Sequence, residues 1–194
     1  MSWIIVFDLD DTLVTRDQSG PVVLYDTLSF LAKAINKRTD GKVQYIYLYT
    51  YNRSERYIIE AIEAIKDSLL KDHGIKIGEG ESGPFDHLIL VKTHEEAYTS
   101  KSMARIQETY DMKNEHTDIT GRVIFLDDLI HETLFNEIGS FRYCHLGNLR
   151  DPLAVLHRAL KIRESSLLLD SDMVGGKRRR MTKRRHKKRR STKN

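Results

Sequence analysis

What the chain lacks narrows its class first. It has one cysteine, Cys144, in 194 residues. No disulfide can form within it, which points to a reducing compartment, and Cys144 reads as a core residue. No stretch approaches the roughly 18 consecutive apolar residues that span a bilayer. The N-terminus carries neither the basic flank nor the longer apolar region of a secretory signal. A soluble, intracellular protein without membrane contact is expected. There is no internal repeat. The eight histidines form no HxxxH or HExxH pattern, and His87 and His94 stand too far apart to suggest a second metal site.

Charge is present but unevenly placed. The formal net charge of +4 joins two unlike parts. Residues 175–194 hold 12 Lys and Arg and no acid, which leaves 20 Lys and Arg against 28 Asp and Glu, or −8, in residues 1–174. An acidic domain over residues 1–166 is expected, followed by a flexible linker and polybasic tail over 167–194.

Apolar periodicity divides the domain into alternating strands and helices. Trp3 to Phe7 is a short β-branched and aromatic run that reads as a buried strand. Arg16 to Pro21 is a turn-forming cluster, so a hairpin or flap is expected between Thr12 and Val23. Leu24, Leu28, Leu31, Ala32 and Ile35 predict a helix to about Lys37. Val43 to Tyr49 is a second strand ending on Thr50, and its tyrosines follow strand alternation. Asn52-Arg53-Ser54-Glu55 has the form of a capping box with Asn52 as N-cap. The helix after it would bury Ile58, Ile59, Ile62, Ile65, Leu69 and Leu70 and stop at Gly74. His87 to Val91 is a third strand, Lys101 to Met112 a helix, and Gly121 to Leu126 a fourth strand ending on Asp127-Asp128. A helix over 129–138, a fifth strand over 141–146 and a helix from Leu153 to about Arg163, opened by Asp151-Pro152, complete the pattern. Such alternation predicts an α/β fold with a doubly wound parallel sheet of about five strands.

Chemistry concentrates at strand ends. The first strand delivers Asp8 and Asp10 at i, i+2, and ligands of open α/β sheets bind at the carboxyl ends of strands. Neighbouring carboxylates are hard to ionise together without a cation between them. A second apolar run ends on Asp127 and Asp128, which repeats the arrangement.

The run Val6-Phe7-Asp8-Leu9-Asp10-Asp11-Thr12-Leu13 resembles motif I, DxDx[TV]L, of the haloacid dehalogenase (HAD) superfamily, whose members include Mg²⁺-dependent aspartyl phosphatases. Thr50 resembles the Ser/Thr of motif II, and Asp127-Asp128 resembles motif IV. Tyr98-Thr99-Ser100-Lys101-Ser102 is similar to the motif III surroundings of carboxy-terminal-domain phosphatases. The resemblance spans about residues 3–146 and implies a strand order of third-second-first-fourth-fifth, with no large cap domain. It implies Asp8 as nucleophile and Asp10 as general acid/base. Thr50 and a lysine would bind the phosphoryl group, with Tyr51 lining the site. Lys101 is the favoured lysine and Lys92 the alternative. Asp8, Asp10 (through its backbone carbonyl), Asp127 and Asp128 would bind Mg²⁺. Capless members act on macromolecules, so a phosphoprotein or a phosphorylated nucleic-acid end is the expected substrate of this phosphomonoester hydrolase.

The tail contains Lys177, Arg178, Arg179, Arg180, Lys183, Arg184, Arg185, Lys187, Lys188, Arg189 and Arg190 behind Gly175-Gly176. Met181 is its one apolar residue, so it has nothing with which to bury a core and is expected to be disordered. Its charge density fits nuclear targeting through an import receptor, or phosphate contacts with nucleic acid, better than mere solvation. Such C-termini are similar to those on proteins of large DNA viruses, which implies a viral protein in a host cell's nucleus or cytoplasm. The alternative function is a nucleic-acid-binding or virion-associated protein that uses this tail, with the folded domain as scaffold. If the tail contacts phosphates, a chain ending at Val174 should lose DNA retention on a salt-gradient column, whereas the full chain should bind with a steep salt dependence.

Overall fold

The computed structural model describes residues 2–80, 82–91, 101–139 and 142–146. Lys92, the Tyr98-Thr99-Ser100 stretch, the helix expected over 153–163, the domain boundary at 166 and the basic tail lie outside the described residues.

Five strands form a parallel sheet: β1 (Trp3–Phe7), β4 (Val43–Thr50), β5 (His87–Leu90), β6 (Val123–Asp127) and β7 (Tyr143–His145). Their order is β5-β4-β1-β6-β7, with β1 at the centre, the order expected above. Phe7 pairs with Leu48 on one side and Leu126 on the other, so three strands end nearly level. Between β1 and β4 the chain adds an antiparallel hairpin, β2 (Val14–Asp17) with β3 (Gly20–Val23), and helix α1 (Tyr25–Thr39). The remaining α-helices among the described residues are α2 (Glu55–His73), α3 (Met103–Asp111) and α4 (Glu132–Ile138).

The period of two along β1 splits the interior into two cores. Ile5 and Phe7 pack with Leu28 and Leu31 of α1 and with Ile58, Ile62 and Ile65 of α2. Ile4 and Val6 face the other way, toward Met103 and Ile106 of α3 and Leu134 and Ile138 of α4. A sheet covered on both faces needs near-continuous apolar strands, and β1 supplies one. Each fully buried Ile or Leu here contributes on the order of 1.5–3 kcal/mol relative to exposure. Tyr47 and Tyr49 belong to the second core, as strand alternation predicts. Cys144 is buried at 2% exposure, in keeping with a core role.

The main local corrections concern α2. Its N-cap is Ser54, whose Oγ accepts the Tyr57 N–H at 3.3 Å. Asn52 therefore lies two residues outside the cap and is occupied elsewhere, so the expected capping box does not form. Ile59 and Leu70 are about half exposed, because each falls one position off the stripe set by Ile58, Ile62, Ile65 and Leu69. Gly74 ends the helix at φ +66°, a left-handed conformation that suits glycine. Farther on, α3 begins at Met103 behind the N-cap Ser102, so Lys101 precedes the helix rather than opening it. Residues 129–131 likewise precede α4 instead of belonging to it.

Replacing the true cap tests this boundary. Ser54→Ala should lower unfolding stability by about 1 kcal/mol in urea melts; no loss would place the helix start elsewhere.

Candidate acidic site at the carboxyl edge of the sheet

Because β1, β4 and β6 run parallel and end almost level, the residues just past each strand converge on one edge. Asp8 follows β1 and donates its backbone N–H to the Leu126 carbonyl at 2.9 Å. Asp127 ends β6, and Thr50 ends β4. After Asp8 the chain turns sharply. The Leu13 and Val14 N–H groups both donate to the Leu9 carbonyl, and Asp11 takes φ +53°, a left-handed conformation that Asp tolerates better than most residues. The turn ends the strand alternation before Asp10.

Lys101 joins the strand ends. Its ammonium is 2.5 Å from Asp8 Oδ1 and 2.7 Å from Asp127 Oδ2. Its residue exposure is 2%, against 6% for Asp8 and 1% for Asp127. The Tyr51, Phe125 and Tyr49 ring centroids lie 5.3, 5.5 and 5.8 Å from the same nitrogen, within reach of cation–π attraction. Asp8, Asp127 and Asp128 each offer an oxygen, all within 4.8 Å of one another. Three carboxylates are gathered around one ammonium, which bridges two of them. An all-oxygen donor set of this kind suits a hard divalent cation.

The electrostatics follow from that imbalance. Burial pushes Asp8 up to about 7, with Asp127 adding to the rise and Lys101 opposing it. Burial also acts to raise Asp127. There it is outweighed by His131, by Lys101 and by the Leu129 N–H, which together hold the carboxyl below its ordinary range. The shared lysine lowers both acids, yet their net shifts are opposite. Asp127 has additional donors, and Asp8 is left with the uncompensated burial. Asp128 is raised by burial and by the adjacent Asp127 charge.

Of the residues expected at the site, Asp8, Lys101, Asp127 and Asp128 come together. Thr50 is fully buried at the end of β4, and its Oγ1 accepts the Asn52 N–H at 3.0 Å. Tyr51 borders Lys101, and burial raises its phenol. The Asp10 carboxylate is not part of the acidic triad; Asn52 Nδ2 approaches its two oxygens at 3.3 and 3.2 Å.

Two further residues belong to the site and escaped the sequence reading. Asn52 resembled a helix cap. His131 passed as a scattered histidine, yet its Nε2 lies 3.4 Å from Asp127 Oδ2, and its ring meets Tyr51 edge-on at 5.6 Å. Its backbone N–H donates to the Tyr143 hydroxyl, which donates in turn to the Leu129 carbonyl. The one sequence signal was its spacing of four from Asp127, which carries no weight outside a helix.

The Asp8 shift gives a signed expectation. With its folded value near 7 against an ordinary 3.8, the folded state binds more protons than the unfolded state between those limits. Stability from this group therefore falls as pH rises through that window. Asp127 acts in the opposite sense, but below its ordinary range. In chelator, Asp8→Asn should melt above wild type at pH 8, with the gap closing toward pH 4. A gap that widens toward pH 4 would contradict this assignment. In comparisons with known proteins, no family model matches the chain and no curated protein matches it, so any activity must be argued from these side chains.

Proposed function

We propose that this protein is a HAD-type, Mg²⁺-dependent phosphatase that hydrolyses a phosphomonoester through an aspartyl-phosphate intermediate. The observation that carries the reading is the buried Asp8–Lys101–Asp127 bridge at the carboxyl ends of two adjacent parallel strands, with Asp128 beside it. An acid pair bound to one buried lysine is costly to maintain for structure alone. It is well suited to a transferring phosphoryl group, which needs a nucleophile and fixed positive charge.

Asp8, Asp127, Asp128 and the Asp10 carbonyl would hold Mg²⁺, which when bound neutralises phosphoryl charge that the carboxylates would otherwise repel. An Asp8 oxygen attacks phosphorus and the bond from phosphorus to the leaving oxygen breaks. That oxygen takes a proton from Asp10. Water then attacks the same phosphorus and gives a proton to Asp10, and the bond from phosphorus to Asp8 breaks to release inorganic phosphate. Lys101 and the Thr50 hydroxyl stabilise the phosphoryl oxygens, and Tyr51 lines the approach.

The described connections after β1 and β4 contain a short hairpin, single helices and a loop, which supports a macromolecular substrate, either a phosphoprotein or a nucleic-acid end. The basic tail favours a second reading, in which the chain binds nucleic acid or a nuclear import receptor and the domain is a scaffold. A nuclear or host-cell setting belongs to the same proposal.

Phosphate release should be measured with Mg²⁺ from an aryl phosphate, a phosphoserine peptide and a 3′-phosphorylated DNA end. Asp8→Asn should reduce turnover by about 10⁴-fold or more, the scale seen when a nucleophile is removed, while the fold is kept. Truncation at Val174 should spare the aryl ester. Unchanged turnover in Asp8→Asn would remove the enzyme assignment, and silence of wild type on all three, with tail-dependent DNA binding, would favour the scaffold.

A further inference from the structure

Asn52 is fixed at three points. Its backbone N–H donates to Thr50 Oγ1 at 3.0 Å. Its side-chain Oδ1 accepts the Ser54 N–H at 3.0 Å. Its Nδ2 reaches both oxygens of Asp10, at 3.3 and 3.2 Å. The end of an Asn side chain that carries the protons is settled by its partners rather than by its shape. Here a backbone N–H, which can only donate, faces Oδ1, so the amide NH₂ must be the end that faces Asp10. The contact is therefore a donor meeting an acceptor, and the amide cannot flip without losing both sides.

Asp10 needs such a partner. It sits on the turn after β1, beside Asp11 with its positive φ, and is only partly buried. A short carboxylate at a half-buried position can adopt more than one rotamer unless a partner fixes it, and proton transfer requires it within hydrogen-bond reach of the reacting oxygen. Asn52 is better anchored, because Ser54 also caps α2 through Tyr57. The rigid helix start thus extends through one amide to the acid.

We infer that Asn52 is a positioning residue that holds the Asp10 carboxylate where it can protonate the leaving oxygen of the substrate. This role rests on the phosphatase reading above. It couples the segment after Thr50, which contacts the phosphoryl group, to the group that serves the leaving group, so both ends of the breaking bond are set from one short loop.

The leaving group provides the test. A nitrophenolate departs without a proton, whereas a serine or sugar alkoxide needs one. The comparison should use kcat/KM, which covers steps up to formation of the aspartyl phosphate and excludes the later use of Asp10 as base. Asn52→Ala should lose about 10- to 100-fold on the alkyl ester that wild type accepts, phosphoserine peptide or 3′-phosphorylated DNA, as expected for partial loss of a general acid. On p-nitrophenyl phosphate it should lose less than about 3-fold, which also shows that the variant is folded. Asp10→Ala should give the same pattern more strongly, and adding Asn52→Ala to it should change kcat/KM little. Equal losses on both esters, or full additivity with Asp10→Ala, would overturn the positioning role while leaving the phosphatase standing. Wild type without Asp8-dependent turnover on either ester would overturn both.

Discussion

One buried ammonium decides how the rest of this molecule must be built. Lys101 lies between Asp8 and Asp127 with almost no solvent contact, and a buried carboxylate without a partner would cost several kcal/mol. The lysine reaches them from the residue before the N-cap of α3, so α3 must be seated firmly against the sheet. Met103 and Ile106 provide that seat in the second core. Three aromatic rings close around the ammonium and limit its access to water. Packing, on this view, sets the electrostatics: the helix that buries the lysine also determines which two acids it serves.

Parallel topology does the remaining assembly. Neighbouring parallel strands end on the same edge, and the pairing of Phe7 with both Leu48 and Leu126 aligns those ends. Residues far apart in sequence are thereby gathered on one edge. The same alignment places Thr50 one strand away from Asp8, with its hydroxyl buried and oriented by Asn52.

Much of this was legible in the sequence because strand ends are marked twice, by the end of an apolar run and by the acids that follow. Asp8 and Asp127 satisfy both marks. Ile58, Ile62, Ile65 and Leu69 were legible from helical spacing, whereas Ile59 and Leu70 were misassigned because spacing alone does not fix how wide the buried stripe is. Asn52 failed for a different reason. Asn, Ser and Glu close together satisfy a capping pattern in more than one register, and the choice here is made by the Asp10 carboxylate, which is 42 positions away in the chain. His131 left no usable mark, since its approach to Asp127 depends on the loop between β6 and α4. Long-range polar contacts of this kind are set by tertiary placement, so local pattern is silent about them.

The Tyr143 hydroxyl has a consequence of its own. It accepts from the His131 N–H and donates to the Leu129 carbonyl, while Leu129 donates its N–H to Asp127 Oδ1. Tyr143 belongs to β7, a three-residue strand at the sheet margin. The orientation of a central acid is therefore referred, through one phenol, to the shortest strand of the sheet. A peripheral strand that looks expendable by length serves as the gauge against which the acidic loop is set.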